Sequence, residues 1–467
     1  MTQNSIDLDH DTIIADLVAI VGNRHVLTGE DVRQRSDTWL PTREMQAACI
    51  VRPANTKEVS AVASYCDRHG LKLVPQGGRT GLAGGACTGP TDVALSLERM
   101  TAIGAIDPSG FTLEVEAGAP LQAVQEAAEA EGFLYPVDLG ARGSATIGGT
   151  IATNAGGNSV FRYGMTREQV LGLEVVLADG TVLSSMNRLI KNNAAYDLKH
   201  MFVGSEGTLG IVTRAVLRLR PMPGYKATAF IGVSSFDAVL DLLALASTES
   251  DGALNSFEVM WPSFMDAVMQ EGAHRAPLEG QHAFYVLAEI VSHRADELME
   301  HVVGLAWERG FVEDAAIAQN VAQGGSFWAI RDDIEALMAN MKPVQLYDVS
   351  LPQSDMAAYV DGLDAALHRV WPDARLAVFG HVADGNLHVV VSVGEQEHQD
   401  GVDALVYEPL EAVGGSISAE HGIGLEKRPY LHHSRSAEEI AMMKRLKATL
   451  DPRSTLNPGK VLPTFQG

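Results

Sequence analysis

Residues 380–388 (Gly-His-Val-Ala-Asp-Gly-Asn-Leu-His) contain two histidines separated by a turn signal. Asp384-Gly385 can form a two-residue hairpin turn, and in that register His381 would face His388 directly. Directly opposed residues have Cβ atoms about 4.5–5.5 Å apart, so two imidazoles could share one cation. The alternative is a pair of hairpin histidines whose polar atoms are satisfied by neighbouring groups.

Residues 418–424 (Ser-Ala-Glu-His-Gly-Ile-Gly) offer a carboxylate, Glu420, and a further histidine, His421. With Glu420 as third ligand, two histidines and one carboxylate would leave coordination positions open, as in catalytic metal sites. The alternative is that Glu420 and His421 lie in a solvated loop.

The length of 467 residues indicates two or three domains, and a content of 46% hydrophobic and 20% charged residues is typical of a globular protein. The net charge of −24 argues against nucleic acid or an anionic membrane as a general partner. The three cysteines fit no disulfide or Cys-x-x-Cys pattern, and the N-terminus lacks a leader pattern. No apolar run reaches the ~20 residues of a membrane span, so we expect a cytoplasmic protein.

Local patterns predict several elements and two main domains. Helices are expected at 11–22, 56–69, 120–132 and 436–450, strands at 49–53, 71–74 and 207–220, and a hairpin over 175–183. Pro221-Met222-Pro223 marks a boundary. We predict a helical segment over residues 1–42, a domain over 43–222, an α+β domain over 223–420, and a C-terminal segment over 421–467.

Three glycine-rich segments, 75–85, 143–157 and 204–212, are bordered by apolar β segments. Backbone N–H groups in such loops can approach an anion without interference from Cβ atoms. No Gly-x-Gly-x-x-Gly opens a helix here and no Gly-Lys-Ser/Thr ends a loop, which disfavours Rossmann and P-loop sites. Glycine also suits plain tight turns, but three such loops favour an extended ligand with phosphates.

Seven motifs, in order, resemble those of the FAD-binding D-2-hydroxyacid dehydrogenases, which include D-lactate and D-2-hydroxyglutarate dehydrogenases and the catalytic subunit of bacterial glycolate oxidase. They are PQGGRTGLAGG (75–85), ATIGGTIATNAGG (145–157), FRYGMT (161–166), GSEGTLGIVT (204–213), GHVADGNLH (380–388), SAEHGIGLEKR (418–428) and LNPGK (456–460). The resemblance implies an α+β fold. It would comprise a vanillyl-alcohol-oxidase (PCMH)-type FAD-binding domain of two subdomains, over 43–222, and an α+β cap domain with an antiparallel sheet, over 223–420.

The resemblance also implies which residues contact FAD. Carried over by position, they are Gln76, Gly77, Gly78, Arg79, Thr80, Gly81, Leu82, Pro136, Gly140, Thr146, Gly148, Gly149, Asn154, Glu206, Gly207, Ile211 and Asn457. Some relatives attach flavin covalently through a histidine of the first glycine loop. Residues 75–85 contain neither histidine nor cysteine, so we expect non-covalent FAD.

By the same resemblance, His381, His388 and Glu420 would bind a divalent cation, expected to be Zn²⁺, and His421 would lie beside the substrate. A cation at the substrate hydroxyl stabilises the developing alkoxide. His421 would accept the hydroxyl proton as general base, a role that suits imidazole because it titrates near pH ~6.5. Hydride would pass from C2 to flavin N5. The neighbouring His432-His433 pair is expected at the surface.

Arg331, in a Trp-x-x-Arg segment that resembles the family's, is the expected anchor for the substrate carboxylate. The alternative is an i,i+4 ion pair with Glu335. Where the D-2-hydroxyglutarate branch has threonine, lysine and asparagine, this chain has Glu335, Leu346 and Val390. These differences remove attraction for a second carboxylate. We therefore predict a D-2-hydroxy acid with a neutral side chain, D-lactate-like or longer, or a cationic one if Glu335 faces it.

Other functions remain open at this stage. D-2-hydroxyglutarate is the alternative substrate, and a non-catalytic flavin subunit of an electron-transfer complex or a flavin oxidase for alcohols or sugars are the alternative classes. A dehydrogenase needs an electron acceptor, such as an electron-transfer flavoprotein, a quinone or a cytochrome. The sequence predicts no nucleic-acid partner and no transmembrane segment, and it leaves homodimer formation undecided.

Overall fold

The computed structural model describes residues 9–39, 44–270, 274–394 and 399–464. These residues divide into two compact units. The first unit draws on residues 1–157, 164–222 and 420–467, and the second on residues 158–163 and 223–419. The boundary predicted between residues 42 and 43 lies outside the described residues.

The first unit contains three sheets. Its strands are β1 Val26–Leu27, β2 Cys49–Val51, β3 Leu73–Gln76, β4 Val93–Ser96, β5 Ile103–Asp107, β6 Thr112–Glu116, β7 Phe133–Leu134, β8 Val170–Val176, β9 Val182–Ser185, β10 Ile211–Arg218 and β11 Arg220–Pro221. One sheet has the order β1-β2-β4-β3, with parallel pairing of β4 to β2 and β3. The second, β5-β6-β10-β8-β9, is antiparallel, and β7 pairs with β11.

The helices predicted from the sequence are present in the first unit, and their ends agree with the prediction where capping residues mark them. The helices of this unit are His10–Val21, Glu30–Arg33, Thr56–His69, Leu121–Ala130, Ile147–Thr153, Thr166–Gln169, Lys199–Phe202 and Ala437–Leu450. Asn55 caps the helix Thr56–His69 by accepting the Glu58 N–H at 3.0 Å, and Gly70 ends it with a φ of +67°. The hairpin predicted over 175–183 is confirmed by the pairing of β8 with β9.

The second unit is built on one antiparallel sheet of seven strands. They are β12 Tyr225–Val233, β13 Leu254–Met260, β14 Phe284–Ser292, β15 Asp314–Ile317, β16 Gln345–Ser350, β17 Arg375–His381 and β18 Asn386–Ser392, in the order β15-β12-β14-β13-β17-β18-β16. Its helices are Val160–Tyr163, Phe236–Glu249, Pro262–Val268, Ala295–Glu308, Val321–Arg331, Ile334–Asn340, Met356–Val370 and Gln399–Ala412. Across the described ranges, no helix has both the length and the apolar character of a bilayer span.

The predicted register of the histidine hairpin is wrong. Phe379, rather than His381, lies opposite His388 in the pairing of β17 with β18. Residues 382–384 form a turn of 3₁₀ helix, which Gly385 ends with a φ of +88°. The loop is therefore longer than a two-residue turn, and His381 lies diagonally across from His388 on the same face of the sheet.

The C-terminal segment returns to the first unit and packs against its glycine loops. Leu73 of β3 donates its N–H to Thr455 O at 2.8 Å and accepts the N–H of Asn457 at 2.8 Å. Leu425 donates its N–H to Ala83 O at 2.9 Å. A Cβ atom on Gly424 would lie only 1.8 Å from that carbonyl oxygen. Residue 424 must therefore be glycine for the two loops to approach this closely.

We predict that Gly424→Ala lowers the stability of the protein by more than about 2 kcal/mol, because backbone atoms on both sides would have to move. The midpoint of thermal unfolding, followed by circular dichroism, measures the effect. The control is Gly362→Ala in the helix Met356–Val370, where a Cβ would meet nothing within 4 Å. That variant should be neutral or slightly stabilising. Equal midpoints for Gly424→Ala and the unsubstituted protein would contradict the prediction.

Candidate functional site

A cavity of about 360 Å³ in the first unit is lined by the three glycine-rich segments. Among the predicted cofactor contacts, those in its lining are Gln76, Gly77, Gly78, Arg79, Thr80, Gly81, Leu82, Gly140, Thr146, Gly148, Gly149, Glu206, Gly207, Ile211 and Asn457. The structure does not place Pro136 or Asn154 in this lining. Pro136 is buried, and the Asn154 side chain accepts the Arg167 N–H at 2.9 Å.

Two features of the cavity wall suit an anionic ligand such as FAD. Cβ atoms on Gly81 or Gly140 would meet nothing within 4 Å, so side chains there would extend into open space. Arg79, at a φ of +56°, has no hydrogen bond or ion pair with any other described residue. Burial, and then the charge of Arg35, lower the pKa of Arg79. A pyrophosphate would supply the anion that this cation lacks.

Glu420 and His421 also lie in the cavity lining, on a loop held by hydrogen bonds on both sides. The Glu420 carboxylate accepts the Gly157 N–H at 2.8 Å. The Glu206 carboxylate accepts the N–H groups of Ile423 at 2.7 Å and Gly424 at 2.9 Å. These contacts fix the backbone next to His421, so its imidazole is presented to the cavity from a constrained loop.

Glu206 and Asn457 therefore organise the cavity as well as line it. Desolvation raises the pKa of Glu206, and its two backbone N–H partners oppose that effect. Asn457 donates from Nδ2 to Gly85 O at 3.0 Å and to Glu206 O at 2.7 Å. Both side chains join the C-terminal segment to a glycine loop, which explains why the last motif of the chain is needed for a cavity made mainly by the first half.

In the second unit, the sheet brings His381 and His388 together. Their proximity was predicted from the sequence, although the predicted strand register was wrong. Their ring centroids are 5.2 Å apart and the rings lie at 79°. Each histidine has a carboxylate on the neighbouring strand: Glu258 of β13 pairs with His381, and Asp348 of β16 pairs with His388. Asp348 Oδ1 lies 3.8 Å from His388 Nδ1. Two imidazoles flanked by carboxylates are a donor set that suits Zn²⁺.

Glu258 joins His381 to Arg331. Its carboxylate is buried, with Oε1 2.6 Å from His381 Nδ1 and Oε2 2.9 Å from both Nε and Nη2 of Arg331. Burial alone would raise the pKa of Glu258, but His381 and Arg331 outweigh it and hold that pKa at about 2. Glu258 is therefore an ionised, buried group between the predicted metal ligand and the predicted carboxylate anchor.

Arg331 ends the helix Val321–Arg331, and its guanidinium lies 5.1 Å from the centre of the Phe379 ring. The alternative of an i,i+4 pair with Glu335 is wrong, because the helix stops at Arg331 and a new one begins at Ile334. Glu335 is exposed and pairs with no cation in the part of the chain that the structure describes. The predicted surface position of the His432-His433 pair is only partly matched, since His432 is exposed and His433 is half-buried.

Sequence reasoning missed Glu258 and Asp348. Both are charged residues between bulky, mostly apolar neighbours in a strand, and charged residues are rarely buried unless they are paired. That signal was present in the sequence. Their partners could not be named, because the strand pairings that create them join distant parts of the chain.

Comparisons with known proteins match both units. A family model described as FAD linked oxidases, C-terminal domain, matches residues 222–461, and one described as FAD binding domain matches residues 47–185. A D-2-hydroxyglutarate dehydrogenase from Xanthomonas citri pv. viticola is 40% identical over 93% of this chain and 93% of its own length. The mitochondrial D-2-hydroxyglutarate dehydrogenase of Arabidopsis thaliana is 37% identical over 95% of this chain and 80% of its own length.

Solved structures show the same fold at low sequence identity. p-Cresol methylhydroxylase with substrate bound has a TM-score of 0.77 at 16% identity and covers 99% of this chain and 98% of its own. 4-Ethylphenol oxidase from Gulosibacter chungangensis has a TM-score of 0.75 at 17% identity, and the match covers 100% of this chain and 99% of the oxidase chain. These structures confirm the predicted α+β fold class, and the family models and relatives confirm the predicted family and enzyme class. The chain belongs to the FAD-linked oxidases and is an FAD-dependent 2-hydroxyacid dehydrogenase.

Proposed function

We propose that this enzyme oxidises a D-2-hydroxy acid with a neutral side chain to the 2-oxo acid, using non-covalent FAD and a divalent cation, expected to be Zn²⁺. The observation that carries the proposal is the position of Arg331, whose Nη2 lies 3.2 Å from Nε2 of His381. A 2-hydroxy acid has its hydroxyl and carboxylate on adjacent carbons. Arg331 could therefore hold the substrate carboxylate while a cation on His381 contacts the hydroxyl of the adjacent carbon.

The roles of the residues follow from their chemistry. His381 and His388 would hold the cation, with Glu420 as third ligand on the strength of its place in the 418–428 motif. When bound, FAD accepts hydride from C2 and the cation acts as a Lewis acid. Arg331 orients the substrate through its carboxylate. His421 accepts the hydroxyl proton.

Electrons would then leave the flavin for a separate acceptor, such as an electron-transfer flavoprotein, a quinone or a cytochrome.

Apolar side chains beside the histidines support a neutral substrate side chain. Val390 pairs with Leu346 on one side and Ala377 on the other, and it lies on the same face of β18 as His388. A second substrate carboxylate in this region would lose its hydration without gaining a cation. The relatives at 35–40% identity are named D-2-hydroxyglutarate dehydrogenases, so that dicarboxylate is the alternative substrate.

We predict that kcat/KM is at least tenfold higher for D-lactate or a longer aliphatic D-2-hydroxy acid than for D-2-hydroxyglutarate. Reduction of a dye acceptor by the purified enzyme measures this, with the L-enantiomers as controls. A preference for D-2-hydroxyglutarate would refute the neutral side chain and leave the enzyme class intact. In the double variant Leu346→Lys, Val390→Asn, the ratio should move towards the dicarboxylate, because a cation and an amide replace two alkyl groups.

We predict that His421→Gln lowers kcat by about 10²–10⁴-fold, the usual contribution of a general base. FAD content, read from the flavin absorbance of the purified variant, should stay at one per chain. His432→Gln, on the exposed side chain of the His432-His433 pair, is the matched control and should keep full activity. Unchanged turnover of the purified His421→Gln variant would contradict the general-base role, and unchanged turnover of a larger electron-transfer complex that contains it would favour a non-catalytic flavin subunit.

We predict that removing the cation with a chelator abolishes turnover while FAD stays bound. The expected loss exceeds about 100-fold, because the substrate hydroxyl would then ionise without a Lewis acid. Activity should return on addition of Zn²⁺, Co²⁺ or Mn²⁺ and fail to return with Mg²⁺, which prefers oxygen ligands. Full activity in protein shown to contain no transition metal would contradict the metal part of the proposal.

A further inference from the structure

We propose, on the basis of the function proposed above, that Glu258 is a positioning residue. It would orient the His381 imidazole towards the cation and the Arg331 guanidinium towards the substrate carboxylate. Glu258 would itself touch neither ligand. It acts through the two side chains that do, and so it couples the geometry of metal binding to that of substrate binding.

The register of the sheet places Glu258 for this role. It pairs with His381 across β13 and β17, so the carboxylate and the imidazole leave neighbouring strands on the same face. The Oε1–Nδ1 distance of 2.6 Å is that of a charge-assisted hydrogen bond. Glu258 is 1% exposed, so water does not compete for this contact.

The hydrogen bonds define which ring nitrogen of His381 carries the proton. Nε2 faces Nη2 of Arg331, and a guanidinium nitrogen can only donate. Nε2 must therefore be the unprotonated nitrogen, and Nδ1 carries the hydrogen that is donated to Glu258. A cation bound to the Nε2 lone pair would replace the hydrogen bond from Arg331, while the Nδ1 hydrogen bond to Glu258 would remain and hold the ring, as in other carboxylate–histidine pairs at metal sites.

Glu258 also fixes the orientation of Arg331. Glu258 Oε2 lies 2.9 Å from both Nε and Nη2 of Arg331, so these two nitrogens hold one edge of the planar guanidinium against the sheet. The terminal edge of the guanidinium, formed by Nη1 and the outer N–H of Nη2, then lies on the side away from Glu258, and Nη1 is 3.3 Å from Asp332 Oδ1 there. The substrate carboxylate would meet this terminal edge, and its position relative to His381 would depend on one shared carboxylate.

The chain provides a matched control in Glu289 of β14. Glu289 is also buried, at 4% exposed, and it accepts hydrogen bonds from Asn255 Nδ2 at 3.1 Å and Trp328 Nε1 at 3.2 Å. Its hydrogen-bonded partners include neither His381 nor Arg331. Glu289→Gln therefore removes a buried carboxylate from the same sheet without touching the proposed contacts.

The test measures Zn²⁺ affinity of the FAD-loaded protein by competition with a chromophoric chelator, and KM and kcat at saturating Zn²⁺. In Glu258→Gln we expect Zn²⁺ affinity to fall about 10–100-fold, the usual effect of losing such a partner. KM for the hydroxy acid should rise at least tenfold. The absorption spectrum of the Co²⁺-substituted variant should also shift, because the His381 ring is no longer held. Glu289→Gln should change none of these quantities.

Glu258→Asp keeps the negative charge on a side chain that is one methylene shorter, so the carboxylate no longer reaches His381. This variant should bind Zn²⁺ as weakly as Glu258→Gln. Zn²⁺ affinity and KM unchanged in Glu258→Gln would overturn the proposal. Equal changes in Glu289→Gln, or loss of fold in both Glu258 variants alone, would assign Glu258 a purely structural role and overturn it as well. Failure of the function proposed above would be seen separately, as unsubstituted protein that binds no Zn²⁺.

Discussion

The register of four neighbouring strands, β13, β17, β18 and β16, is the constraint on which the chemistry of the second unit depends. Side chains alternate between the two faces of a sheet, so a one-residue shift would move a histidine or its carboxylate to the opposite face. Gly380 helps to hold that register, because a Cβ there would lie 2.5 Å from Asn386 O and 2.9 Å from Leu387 Cα. The close approach of β17 and β18 next to His381 is thus possible only with glycine at this position.

Two arginines show how a strongly acidic chain can hold anions. Arg79 lines the cavity of the glycine loops with no ionic partner among the described residues, and its charge would be available to a bound phosphate. Arg331 is instead paired in advance with Glu258. Under the proposed function, the first arrangement would add attraction for a ligand with two phosphate groups, whereas the second would hold a guanidinium in one orientation for a small carboxylate. The different partners suit the different sizes of the two ligands.

Much of the fold could be predicted from the sequence wherever the signal was local. The helix Thr56–His69 has its cap residue and its final glycine within the segment, and the hairpin of β8 and β9 has its Asp-Gly turn. The glycine-rich loops likewise predicted a cavity that the structure contains. The hairpin of β17 and β18 was misread because a 3₁₀ turn and an Asp-Gly turn share the same residues. Glu258 was missed because its pairing with His381 depends on the global order of strands, which no local pattern reveals. The metal ligands stay predictions.

The first unit is assembled from chain segments on both sides of the second unit, and this has a consequence for biosynthesis. Residues 455–457 pair with strand β3, and Asn457 from that segment lines the cavity of the glycine loops. While the ribosome is still translating the second unit, the glycine loops lack the tie that Asn457 provides. The glycine loops therefore gain the hydrogen bonds of Asn457 only after residues 455–457 have been synthesised. A chain that ends before residue 455 would lack these hydrogen bonds, so its glycine loops would open more readily and be more accessible to proteases.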